Sequence, residues 1–305
     1  MQNGALKLKK HKFFVKTIIL SLFLAGFFSG CKTLPVESPV VAIDLLDDDS
    51  AFYIAIPSDV DPELVVRFLQ NNIENLSEKD AQMIASRIDN VYCGLNHKKN
   101  QTQLQIASDA RIGNAIASKV FTSKNGWESN LASTQFKNSY TVYERENLSL
   151  CFPSNEIALI GRDIPVMLNQ FDNIRSLDSS FAGELPPHLL SDEVYDYLSS
   201  ASSEGEIRFY AGRPQSFLTT LTGAQLDLKL EHVSGAFVCD PKYPEQYILT
   251  LDFKFKNASF LKAGRGLLTL AFGLTNSNSQ IIGEDELIIS DIKIAKKSLY
   301  KILIL

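Results

Sequence analysis

From Ala42 onward the apolar positions follow two spacings, alternate residues in short runs and every third or fourth residue in longer ones, and the runs succeed one another in a regular order. Ala51-Phe-Tyr-Ile-Ala-Ile-Pro57 is aromatic, β-branched and closed by proline, which predicts a strand. A helix follows: Asp61 caps it, Pro62 suits its first position, and Val65, Phe68, Leu69, Ile73 and Leu76 recur on one face. Ser77 caps a second helix, where Ala81, Ile84 and Ile88 keep helical spacing. Val91 to Leu95 and Thr102 to Ser108 flank the polar turn Asn96-His-Lys-Lys-Asn100 as a hairpin. A helix from about Ile112 to Phe121 comes next. Strands near Tyr140 to Tyr143, Leu148 to Phe152 and Glu156 to Ile160 follow, and a short helix from Pro165 to Phe171 ends the first half.

The second half repeats the order. Glu206 to Ala211 reads as a strand, Pro214 to Leu221 as a helix stopped by Gly223, and Leu226 to Val238 with Tyr247 to Phe255 as long strands around Asp240-Pro-Lys-Tyr-Pro244. Asn257 caps an apolar helix to about Phe272, Glu286 to Ser290 is a strand, and Asp291 opens a closing helix. The run Glu156-Ile-Ala-Leu-Ile-Gly-Arg-Asp-Ile matches Glu286-Leu-Ile-Ile-Ser-Asp-Ile, which points to a diverged duplication. The expected class is therefore α+β: two diverged repeats, each a mostly antiparallel sheet with helices packed on one face. The repeats span residues 42–172 and 204–305. A linker over residues 173–203, with one short helix at Glu193 to Leu198, joins them.

The first 41 residues have a different character. Lys7, Lys9, Lys10, Lys12 and Lys16 precede an uncharged run, Thr17 to Phe28, that ends in Ser29-Gly30-Cys31. That order marks residues 1–30 as a signal peptide, since the run is shorter than the ~20 apolar residues of a spanning helix. Ser29-Gly30-Cys31 resembles the lipobox of bacterial lipoproteins, although Phe28 stands where that family usually has an aliphatic residue. The resemblance implies that Cys31 receives diacylglycerol and becomes the first residue after cleavage. It also implies an outer-membrane destination, because Lys32 replaces the aspartate that can retain such proteins at the inner membrane. Residues 31–41, rich in proline and valine, then form an extended tether.

Losing residues 1–30 takes the formal charge from −5 to about −10. An acidic surface gains nothing from counterion release, so nucleic acid is not an expected partner. Cys93, Cys151 and Cys239 fit no zinc or redox spacing; buried free thiols are preferred to one disulfide with a leftover. Asp44, Asp47, Asp48 and Asp49 lack the spacing and turn glycine of a calcium loop and read as a solvated turn. His11 leaves with the signal peptide, and His97, His188 and His232 are unpaired at metal-ligand spacing. Gly264-Arg265-Gly266 lies inside a helix and suits tight packing better than phosphate. No catalytic site, cofactor site or metal site is expected.

Two helices leave alternatives open. From Ala258 to Leu274 apolar residues surround the axis, as in a central core helix or one that lines an apolar cavity or enters lipid. The closing helix carries Ile292, Ala295, Leu299 and Ile302 on one side, with Lys293, Lys296, Lys297 and Lys301 largely elsewhere. It either docks on its sheet or lies on an anionic membrane. The sequence thus predicts a non-catalytic envelope lipoprotein held to a membrane by Cys31, with a binding or scaffolding role towards an envelope protein. The alternative is a protein that binds lipid or another apolar ligand and meets the membrane through amphipathic helices.

Overall fold

The computed structural model describes residues 40–72, 76–98, 101–146, 148–161, 164–176, 188–273 and 277–303. The expected signal peptide and Cys31 lie outside them. A 3-10 turn, Ala42–Leu45, comes first, and all four of its residues are buried. Strand β1 (Phe52–Pro57) is buried along its whole length. Helix α1 (Pro62–Asn72) is capped by Asp61, whose Oδ1 accepts from the Leu64 amide at 3.2 Å. Ser77 caps α2 (Glu78–Ala85) in the same way, accepting from the Asp80 amide at 3.1 Å. The chain then runs through β2 (Ile88–Lys98), β3 (Gln101–Ala110), α3 (Asn114–Val120), β4 (Glu128–Ser133), β5 (Ser139–Arg145), β6 (Leu148–Cys151), β7 (Ile157–Gly161) and α4 (Ile164–Ser176). Helices α5 (Asp192–Ser199) and α6 (Ala201–Glu204) fall in the expected linker. Beyond them lie β8 (Ile207–Ala211), α7 (Gln215–Thr222), β9 (Leu230–Cys239), β10 (Gln246–Phe255), α8 (Ala258–Phe272), β11 (Asn278–Ile282), β12 (Glu286–Ala295) and α9 (Lys296–Leu303).

All the strands join one 12-stranded sheet in the order β11-β12-β10-β9-β8-β1-β2-β3-β7-β6-β5-β4. Every neighbouring pair is antiparallel. The α+β class with a mostly antiparallel sheet therefore holds. The two halves meet where β1 pairs with β8, Tyr53 opposite Tyr210 and Ala55 opposite Arg208. From that seam each half runs outward as first strand, hairpin and closing strand, and the first half adds β5 and β4 at its edge.

Helices were expected on one face, and they cover both. Phe52, Ile54 and Ile56 point into a cluster with α1, α2, α3, α7, α8 and α9, whereas Tyr53 and Ala55 point into a second cluster with the 3-10 turn, α4, α5 and α6. The cause is visible in β1: both of its alternating sets are apolar, so each face needs a cover. The stretch read as a linker supplies part of that cover, since Val194, Leu198 and Ala201 are buried.

The C-terminal boundary differs as well. Strand β12 continues to Ala295, and the closing helix begins at Lys296 rather than Asp291. Register passes from Leu251 opposite Ile289 to Leu249 opposite Ile292, so two residues oppose Thr250. Asp291 takes the left-handed conformation, φ 61°, as the extra residue of this bulge. The bulge buries both Ile289 and Ile292, and a spacing of three then imitates the start of a helix.

Candidate functional site

Between the sheet and helices α1 to α3 lies a hollow of about 40 Å³. Val65, Phe68 and Leu69 of α1 form its roof, Ile84 of α2 and Ile116 and Val120 of α3 form its sides, and Ile106, Leu150 and Ile160 of the sheet form its floor. A smaller hollow of about 10 Å³ shares Phe68, Leu69, Ile106, Leu150 and Ile160 and continues it towards Leu104 and Leu148. The one polar lining side chain is Ser108, whose hydroxyl already donates to the Asn90 carbonyl at 2.9 Å. The volume is enough to admit water, but a water needs two to four polar partners and does not find them here. The space is therefore dry. Its walls lose dispersion contacts that a packed core would keep, which leaves the α1–α3 layer less tightly held to the sheet than its surroundings.

Helix α8 turns out to be half covered. Leu261, Gly264, Leu268 and Phe272 are buried, while Phe260, Leu267 and Leu270 are 38%, 45% and 77% exposed. Of the two alternatives, the central core helix is excluded. Gly264 has the packing purpose read from its sequence: a Cβ there would stand 2.6 Å from the Phe255 ring. Gly266 meets nothing. Among the described residues no helix is long and apolar enough to cross a membrane.

Helix α9 docks, with Leu299 and Tyr300 buried. Its first residue makes a buried ion pair: Lys296 Nζ lies 2.8 Å from Asp61 Oδ2, the side chains 12% and 2% exposed. The Tyr247 hydroxyl donates to the same oxygen at 2.5 Å, and burial, followed by the nearby carboxylate, drives its pKa far up. Burial, the largest single influence, pulls the Lys296 ammonium towards neutrality, yet the hydrogen bond to Asp61 and the attraction of its charge together outweigh it and leave the pKa above the usual lysine value. Sequence alone marked Asp61 as a cap; its link to a residue 235 positions later has no local signal.

The remaining candidates separate. Cys93 and Cys151 are buried free thiols, both pushed up to about 12 by burial. The Cys239 thiol donates to the Val60 carbonyl at 3.3 Å. His188 stacks on Tyr195 with centroids 3.9 Å apart, and His232, its pKa lowered by burial, lies against Tyr210. The His97 side chain lies outside the described residues. Among the described residues no three His, Cys, Asp or Glu side chains converge for a metal. The acidic turn is only partly solvated: Asp48 and Asp49 are exposed, but Asp44 is buried and Asp47 Oδ2 accepts from Gln105 Nε2 at 2.8 Å.

On the sheet face away from α8, Asp252 Oδ1 is buried with no hydrogen-bond partner among the described residues, and burial, then the carboxylate of Glu286, raises the pKa of Asp252 to about 6. The folded chain thus holds this proton more tightly than the unfolded one. Its ionisation costs stability as pH rises from about 4 through about 6. Asp252→Asn should stabilise the protein at pH 7.5 by about 1–2 kcal/mol, allowing for screening of a half-buried group, and the gain should vanish below pH ~4. Urea titrations across that range measure it, and a pH-independent difference contradicts it.

The comparisons with known proteins fit this arrangement. The model of the family described as outer membrane-associated lipoprotein TP0453 matches residues 37–300. This chain belongs to that family. Crystal form I of TP0453 has 18% identity and a TM-score of 0.68, over 88% of this chain and 98% of that one. Crystal form III gives 19% and 0.65 over 88% and 99%, and crystal form IV 18% and 0.61 over 88% and 98%. At such identity the TP0453 structures show a shared fold. No curated protein matches. Membership in the TP0453 family makes the chain a lipid-anchored lipoprotein of the cell envelope, associated with the outer membrane.

Proposed function

We propose that this TP0453-family member is a non-catalytic binding protein, moored through acylated Cys31, that takes up an apolar, acyl-chain-like molecule under helices α1 to α3. The wholly apolar hollow carries the reading. At about 40 Å³ it does not hold an acyl chain as it stands, so binding requires the α1–α3 layer to lift from the sheet. Each methylene buried there contributes ~0.8 kcal/mol towards that movement. A cleft between the halves is a poorer site, because β1 pairs with β8 and Phe52 stacks on Phe209 and Phe217 across the seam. The matching order of strands on either side of the seam supports an origin by duplication.

The test is saturable binding of a fluorescent fatty acid to the chain from residue 32 onward. Ala158→Leu, which fills the hollow, should weaken it at least tenfold without lowering the melting temperature. Absence of saturable binding, or equal binding by the variant, refutes the reading. Intact mass of the native protein should show acyl chains on Cys31 and none on Cys31→Ser.

The exposed ridge of α8 favours a second reading, in which Phe260, Leu267 and Leu270 contact lipid directly. Flotation of Cys31→Ser with vesicles separates the two: Leu267→Gln with Leu270→Gln should abolish flotation only if α8 is the contact.

A further inference from the structure

The described chain begins at Val40, which packs with the cluster beneath α4 and α5, and two residues on the Ala42 amide donates to Asp109 Oδ1 at 3.0 Å. Asp109 is near the end of β3. Asn90 opposes Asp109 and Pro57 opposes Asn90; two residues back along β1, Ala55 opposes Arg208, Arg208 opposes Ala236, and β9 runs on from there to Cys239 opposite Tyr247, so the β9–β10 turn projects from the same end of the strands as the root of the tether. Val40 lies nine positions after Cys31, which at full extension is ~30 Å. A body held that closely presents this end, before any other, to the headgroups.

The turn is suited to such a surface. Asp240 is buried, and its Oδ1 accepts from the amides of Lys242 at 2.8 Å and Tyr243 at 3.3 Å. The Gln246 amide donates to the Tyr243 carbonyl at 2.9 Å, and Pro241 and Pro244 stiffen the tip. On this rigid support Tyr243 is 52% exposed, with the Lys293 ammonium 5.2 Å from its ring centroid. Lys242, Lys293 and Lys297 are exposed around it, with Glu245 the exposed acid of the turn, on a chain that is acidic as a whole. Tyrosine places an apolar ring and a polar hydroxyl at headgroup depth, and lysines gather where phosphates are anionic.

We propose that the β9–β10 turn, Lys242 and Tyr243 with Lys293 and Lys297, rests on anionic phospholipid headgroups while the chain is moored. The surface is distinct from the ridge of α8, because α8 packs on Phe253 and Phe255, at the other end of β10. It rests on acylation of Cys31 and is independent of ligand uptake by the hollow, which fatty-acid binding reads separately.

The test uses the acylated full chain, its intact mass verified, in vesicles of phosphatidylethanolamine and phosphatidylglycerol containing brominated lipid. Tyr243→Trp should add emission that the brominated lipid quenches, above the buried Trp127 background, while Leu270→Trp on α8 and Glu284→Trp at the other end of the strands should not be quenched. For the chain carrying Cys31→Ser, charge reversal at Lys242, Lys293 and Lys297 should lower partition onto the same vesicles by more than about fivefold per lysine, the factor expected from losing the positive charge alone. Quenching at Leu270→Trp or Glu284→Trp equal to or above that at Tyr243→Trp, or partition unchanged by the reversals, overturns the proposal.

Discussion

Lys296→Met should lower the free energy of unfolding by about 3–5 kcal/mol, because it leaves Asp61 charged and buried with Tyr247 as its chief remaining donor. Asp61→Asn should cost a similar amount, and the double variant less than the sum, since the second change removes the stranded charge. The coupling belongs to fold geometry: Asp61 caps α1, and Lys296 opens α9, so one pair ties the roof of the hollow to the C-terminal helix. The raised lysine pKa means that this stabilisation is present in full at neutral pH and is lost only as pH rises through that pKa, well into the alkaline range. Denaturant unfolding of the four proteins measures the cycle; additive losses contradict the pair.

Phe209→Ala should cost about 3–5 kcal/mol and should leave unfolding as one transition. Phe209 is fully buried at the seam, 4.6 Å from the Phe217 ring, 5.5 Å from Phe237 and 5.6 Å from Phe52, so it joins β8 to residues of both halves. Were the halves separate domains, the variant would melt in two steps with the first half unaffected. Calorimetry distinguishes these results, because a single endotherm shifted as a whole is expected.

The elements legible in the sequence are those whose signal is local. Asn257 caps α8, its side chain accepting from the Phe260 amide at 3.1 Å, and the helix closes at Phe272 as the pattern required. Ser77 and the two long hairpins followed the same logic. Strands β4 and β11 went unseen because they are edge strands with little to bury: β11 is exposed at every residue and β4 at nearly every one. The bulge at Asp291 disguised a strand as a helix. The 3-10 turn looked like part of an acidic loop, although Ile43, Leu45 and Leu46 beside Asp44 are core residues.

The candidate site was less legible than the fold. Each residue lining the hollow reads as an ordinary core position, and nothing in the spacing of Val65, Phe68, Ile84 or Ile116 says that the layers they belong to meet imperfectly. Under-packing is a property of three helices set against a sheet, visible only in three dimensions. The α8 ridge was partly visible, in that a helix apolar all round needs a partner, but which side stays uncovered depends on Phe255 and Leu228 packing at Gly264.

Native mass spectrometry of the protein released gently from its own envelope tests the central claim most directly. The account predicts a bound mass of acyl-chain size that Ala158→Leu removes while the fold survives; a mass equal to the acylated polypeptide alone, for both proteins, would contradict it.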